Sequence, residues 1–181
     1  MTTVDDLLAR SAAGERLKFV FFWSHEPKRH GSVDASCFSQ WYASPFDLEG
    51  VRFPTAEHAF MAEKAKLFKD NEAYERIVAA DSPGAAKAFG REVFPFDQAV
   101  WDRERLSIAR RVNRAKFESD DSLREFLIGT NTRVIVEASP VDKIWGVGLE
   151  ATDETIEDPS CWLGLNLLGF TLMDVRDDLR A

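Results

Sequence analysis

Along most of this chain the apolar residues recur at helical spacing, and in two stretches they run together as in a buried strand. Val4 to Ala13 predicts a short amphipathic helix with Leu7 and Leu8 inward, ended by Gly14. Leu17 to Trp23 (L-K-F-V-F-F-W) is β-branched and aromatic and predicts a strand; Arg133 to Ala138 predicts a second. His25 to Ser36 is polar, holds Pro27 and Gly31, and reads as a loop. Cys37 to Phe46 is rich in aromatics and broken by Ser44-Pro45. Asp47 to Phe53 predicts a short hairpin around Glu49-Gly50.

The stretch from Pro54 (P-T-A-E-H-A-F-M-A-E-K-A-K-L-F) predicts the central helix. Pro54 suits a first turn, helix formers run on to Lys69, and Asp70-Asn71 reads as a stop. Glu57, Met61, Lys64 and Phe68 fall at i, i+4, i+7 and i+11, on one stripe. Met61 and Phe68 draw that stripe inward, with Glu57 and Lys64 about 10 Å apart along it. Either both charges snorkel to the surface, or the helix offers a carboxylate and a perturbed amine to one cavity.

Further on, Glu72 to Ala80 predicts a helix. Asp81-Ser82-Pro83 starts another that Gly90 stops, and Asp97 caps a longer one through Phe117. That long helix turns Val100, Trp101, Ile108 and Val112 inward; Arg103, Glu104, Arg110, Arg111 and Arg114 form its outer face, a pattern typical of a solvated surface. Ser119 or Asp120 opens a helix ended by Gly129. Pro140 to Glu150 is a glycine-bounded loop around Trp145, and Ala151 to Ser160 is irregular. Trp162 to Leu179 predicts a terminal helix with Leu165, Leu168, Leu172, Met173 and Val175 on its apolar side. Five to seven helices with a few short strands make an α+β, mainly α-helical fold. The 181-residue length favours a single domain.

Composition narrows the partners. A net charge of -8 argues against non-specific binding to nucleic acid or anionic membrane, though it leaves room for a local phosphate pocket. No signal peptide or membrane span is expected, and Cys37 and Cys161 form neither a metal spacing nor a disulfide framework, so a reduced, cytoplasmic setting is expected. With His25, His30 and His58 as the only histidines, a histidine-rich metal site is not expected. Nucleotide-binding glycine loops, zinc-protease motifs and the hydrolase elbow are absent. Catalysis then rests on carboxylates, lysine or tyrosine, and some of the five tryptophans can line a pocket for a flat ring.

Six pieces in order resemble one family. They are F-S-Q-W-Y-A-S-P-F at Phe38 to Phe46, P-T-A-E-H-A-F-M-A-E-K at Pro54 to Lys64, K-A-F-G-R at Lys87 to Arg91 and K-F at Lys116-Phe117. E-A-S-P-V-D-K-I-W-G-V-G at Glu137 to Gly148 and G-L-N-L-L-G-F-T-L-M-D-V-R at Gly164 to Arg176 complete the set. Together they span about Phe19 to Arg176 and resemble the YbiA-like N-glycosidases of the NADAR (NAD- and ADP-ribose-associated) family. The family usually carries F-S-N-F where this chain has Phe38-Ser39-Gln40-Trp41. It often has Q-A-Q-K-F where this chain has Met61-Ala62-Glu63-Lys64-Ala65, with the lysine retained.

The resemblance implies hydrolysis of an N-glycosidic bond without metal or cofactor. In one branch the substrates are phosphorylated ribosylamino-pyrimidines of riboflavin biosynthesis; in another, ADP-ribose is removed from guanine in nucleic acid. A non-catalytic nucleotide or ADP-ribose sensor is the third reading. On this view Glu57 stabilises positive charge at C1′ and activates water. Lys64 binds the sugar phosphate or forms a Schiff base, and Asp142 assists proton transfer or bonds the base. Trp145 stacks on the base, Gly146 allows close approach, and Trp41 adds a further ring. Lys87 and Arg91 hold phosphate or simply sit near a helix end. Asn166 packs one helix or touches the ligand, and Glu137 is a further acid.

Overall fold

The computed structural model describes residues 2–29 and 31–180; His30 lies outside the described residues. The contacts gather into two compact units, residues 1–39 with 121–181, and residues 40–120. The fold is α+β and mainly helical.

The first unit is built on a parallel strand pair. Strand β1 (Phe19–Phe22) runs beside β4 (Val134–Glu137), with Phe19 opposite Val134 and Phe22 opposite Glu137. Both come from the apolar runs seen in the sequence, and Val134, Ile135 and Val136 are fully buried. Helix α1 (Val4–Ala12) begins with a Thr3–Asp6 capping box and buries Leu7. Helices α6 (Asp121–Gly129) and α7 (Leu167–Arg180) complete the unit, α7 lying on β4.

The terminal helix starts five residues later than Trp162, and Leu165 is exposed rather than on the apolar face. Residues 163–166 instead run along the Lys143–Val147 loop. Leu163 N donates to Val147 O, Leu165 N to Lys143 O, and Asn166 N to Gly146 O. Asn166 has a positive φ of 53°, which bars a continuous helix at that point.

In the second unit, β2 (Phe46–Leu48) and β3 (Val51–Phe53) form the expected hairpin, with Glu49 and Gly50 both at positive φ. Helix α2 (Ala56–Leu67) follows, packed against α3 (Asn71–Val78), α4 (Pro83–Arg91) and α5 (Gln98–Glu118). Thr55 caps α2, so Pro54 stands just before the cap and outside the first turn. Asp70 does not merely stop the chain: its carboxylate caps α3 and also accepts the Phe94 N–H. Gly90 lies within α4, which Glu92 caps. A Cβ on Gly90 would overlap the Met61 side chain, so glycine here serves helix packing, not termination. On α5, Trp101, Ile108 and Val112 are buried as expected, and Val100 is half-buried.

Gly169 gives the firmest packing constraint. A Cβ there would overlap the Ile135 carbonyl oxygen of β4, which is backbone and cannot turn aside. Gly169→Ala is expected to destabilise the protein by about 1–3 kcal/mol, read as a lower urea midpoint. Gly129→Ala, with nothing within 4 Å of the new methyl, is expected to leave the midpoint nearly unchanged.

Candidate active site

Helix α2 brings Glu57 and Lys64 into protected surroundings. Glu57 is in its first turn, 5% exposed, with its N–H bonded to the Gln40 carbonyl at 2.9 Å. Lys64 is half-buried; its Nζ donates to the Gly90 carbonyl at 2.7 Å. The amine lies 4.5 Å from the Phe96 ring centre and 5.5 Å from that of Trp101. Burial pushes its pKa below the usual lysine range, because the ammonium form loses water.

The wall around Lys64 was not legible in the sequence. Phe96 sits on the connection between α4 and α5, and that connection is pinned at Phe94 by Asp70. Trp101 stacks obliquely on Phe60, 5.3 Å between ring centres. The Gly90 carbonyl is within reach because Met61 occupies the space a side chain at Gly90 would need. The apolar pattern of α5 gives Trp101; nothing local to Phe96 or Gly90 signals their place beside the amine.

The remaining histidine and carboxylate of α2 are settled structurally. His58 is 1% exposed, its Nδ1 2.8 Å from Thr55 Oγ1 and its Nε2 3.2 Å from the Ala80 carbonyl. Burial lowers its pKa, keeping the ring neutral near pH 7. Glu63, 4% exposed, pairs with Arg111 and Lys66.

Trp41 packs over Gly84 at the start of α4, and the Lys87 amine lies 6.0 Å from its ring centre. Arg91 is exposed at the far end of α4. These two cations thus stand in different settings: Lys87 half-buried beside an indole, Arg91 in solvent.

The other expected residues belong to the first unit. Asp142 Oδ1 accepts the N–H groups of Ile144 and Trp145 at 2.9 and 2.8 Å, closing the turn that presents Trp145. Trp145 is half-buried. Gly146 is enclosed by the chain itself: a Cβ there would stand 2.8 Å from the Glu137 carbonyl oxygen. Asn166 is fully buried, with Oδ1 accepting from Glu137 N and Nδ2 donating to the Ile135 carbonyl, at 3.0 and 2.9 Å. Both ends of its amide are therefore used to fasten the start of α7 to β4. Among the described residues no group of three His, Cys, Asp or Glu side chains is arranged to hold a metal ion. Among them too, no helix is long and apolar enough to cross a membrane.

Comparison with known proteins agrees with this architecture. A family model described as the NADAR domain matches residues 21–180. An N-glycosidase of Acanthamoeba polyphaga mimivirus is 37% identical over 166 residues, covering 89% of this chain and 96% of the relative. N-glycosidase YbiA of Escherichia coli (strain K12) is 32% identical over 148 residues, covering 82% of this chain and 84% of YbiA. The NMR structure of Escherichia coli YbiA superposes with a TM-score of 0.72 at 30% identity, over 92% of this chain and 87% of that one.

The depressed Lys64 pKa has a definite sign. The folded state holds the Lys64 proton less tightly than the unfolded state, so this residue costs stability below its folded pKa. The cost fades as pH rises from that value through the usual lysine range. In NMR titration of the dimethylated protein, the Lys64 amine is expected to titrate below the surface lysines. Phe96→Ala, which admits water, is expected to move it back up; an unchanged midpoint would assign the shift to other groups.

Proposed function

We propose that this chain, which belongs to the NADAR family, hydrolyses the bond between ribose C1′ and an exocyclic amino nitrogen on a pyrimidine. The favoured substrates are the phosphorylated ribosylamino-pyrimidine intermediates of riboflavin biosynthesis, with ribose 5-phosphate as product. The enzyme class is N-glycosyl hydrolase, the activity for which the relatives in mimivirus and Escherichia coli are named. The observation that carries the reading is the pairing, on one enclosed helix, of the buried Glu57 with an amine that burial has made easier to deprotonate. A sensor has no need of either, and would be better served by both groups in solvent.

Lys64 suits nucleophilic attack. Once the amino-linked sugar opens, its neutral amine adds to C1′ and the amino-pyrimidine leaves with a proton. Water then hydrolyses the resulting imine, freeing ribose 5-phosphate and restoring the amine. Glu57, on the same helix, stabilises positive charge at C1′ and takes the proton of the attacking water. The alternative, removal of ADP-ribose from guanine in nucleic acid, calls for a basic surface. On α5, however, Arg103, Arg105, Arg111 and Arg114 are each paired with a carboxylate.

The test offers both substrates side by side to the wild type, Lys64→Ala and Glu57→Gln. Ribose 5-phosphate is expected from the pyrimidine substrate, with kcat reduced at least about 10²-fold in each variant while the circular dichroism spectrum is retained. Borohydride is expected to trap a sugar adduct on Lys64 of the wild type. Activity confined to ADP-ribosylated DNA would reassign the substrate, and full activity in Lys64→Ala would remove the imine route.

A further inference from the structure

We propose that Gln40 is a specificity-determining residue, its side-chain oxygen accepting a hydrogen bond from the ribose 2′-hydroxyl beside Glu57. This rests on the N-glycosidase reading above and names how that site recognises its sugar.

A chain of amides sets the direction of the Gln40 side chain. Asn113 on α5 is fully buried, and its Nδ2 donates to the Ala109 carbonyl of its own helix at 2.9 Å. The Asn113 Oδ1 is thereby left to accept, and Gln40 Nε2 donates to it at 3.1 Å. Gln40 must then present Oε1 elsewhere. That oxygen is buried and has no hydrogen-bond partner among the described residues. Buried polar atoms in folded proteins are nearly always paired, and an exception points to strain or to a ligand. An amide locked at one end and unsatisfied at the other fits the second explanation.

Position supplies the chemistry. The backbone carbonyl of this same Gln40 accepts the Glu57 N–H, at 2.9 Å, in the first turn of α2. One residue thus holds the Glu57 backbone in place and carries an unsatisfied acceptor. An acceptor there calls for a donor on the ligand, which excludes a phosphate oxygen. The 2′-hydroxyl is a donor on the carbon next to C1′. As positive charge grows at C1′ that hydroxyl becomes a better donor, and its hydrogen bond strengthens toward the transition state. The oxygen is covered in this structure, so under this proposal the atoms over it give way when the sugar binds.

The test is a cycle between Gln40→Met, which keeps the length and removes both amide atoms, and a substrate without the 2′-hydroxyl. Wild type and variant are each given the ribosylamino-pyrimidine and its 2′-deoxy counterpart. Deoxy sugars differ in intrinsic reactivity, so the readout is the ratio of kcat/KM between the two sugars, compared across the two proteins. The wild-type preference for ribose is expected to exceed that of the variant by about tenfold. Equal preferences would overturn the assignment. Calorimetric binding of ribose 5-phosphate and 2-deoxyribose 5-phosphate reads the same contact without turnover, with the same factor expected. Gln40→Asn keeps the amide but withdraws it by one methylene, and is expected to lose the preference as well; it serves where Gln40→Met does not fold. If wild type turns over neither substrate, the ribosylamino-pyrimidine reading fails, and sugar discrimination in binding still decides the role of Gln40.

Discussion

Enclosure of helix α2 sets the terms for every polar group it carries. Nine of its twelve residues are buried, on all sides of the helix. Ala56, Ala59, Ala62 and Ala65 are each fully buried, and their small side chains let α3, α4 and α5 close in. Of its charged and titratable residues only Lys66 is exposed, so the others have little water to stabilise a charge. A buried charge without partners costs several kcal/mol, so each one on α2 must be neutralised, neutral or put to use. His58 is held neutral between Thr55 and the Ala80 carbonyl. Glu63 is matched by Arg111 and Lys66. Lys64 meets the Gly90 carbonyl and the faces of two rings.

What was legible in the sequence was mostly local. The Glu49-Gly50 turn, the two apolar strands and the caps at Ser82 and Asp97 follow from backbone chemistry within a few residues, and each formed where expected. The stripe from Glu57 to Phe68 pointed inward correctly, yet periodicity alone makes that stripe one face of an amphipathic helix. The opposite face proved buried as well at Ala59 and Ala62, leaving Lys66 exposed, because alanine carries little pattern of its own. Gly90 misled for a related reason. A glycine near a helix end reads as a terminator, while here it clears space for Met61, a residue 29 positions earlier. The start of α7 was misplaced because Leu163 to Asn166 pairs with the backbone of the Lys143–Val147 loop, which no helical period records.

The candidate site divides along the same line. Glu57 and Lys64 were readable because both sit on one strongly helical segment inside a resembling motif. The Phe96 ring, the Gly90 carbonyl and the Asn113 amide were not, since each reaches α2 or Gln40 through tertiary packing. Asp142, Gly146 and Asn166 lie in matching motifs, but their geometry shows how much of a motif can be architectural. An Asx turn, a close backbone approach and a two-ended amide clasp account for the polar atoms and the missing side chain described at those positions.

Two lysines two positions apart show how the same residue type is driven to opposite ends. Burial works against the charge on Lys66, but the hydrogen bonds it donates to the Glu63 and Glu49 carboxylates outweigh it and hold that amine above the usual lysine range. Lys64 meets a carbonyl oxygen and two ring faces, and among the described residues no carboxylate pairs with it. A carbonyl dipole and a ring quadrupole favour the ammonium less than a full negative charge does, so desolvation prevails and the proton is released more easily. If the helix needed Lys64 only for stability, a carboxylate opposite it would serve better, as it does for Lys66. An amine left half-buried among neutral groups beside a neighbour that is fully matched fits the attacking role proposed for Lys64. The Gly90 carbonyl holds that amine without setting a negative charge beside it, which suits the imine-forming role proposed for it.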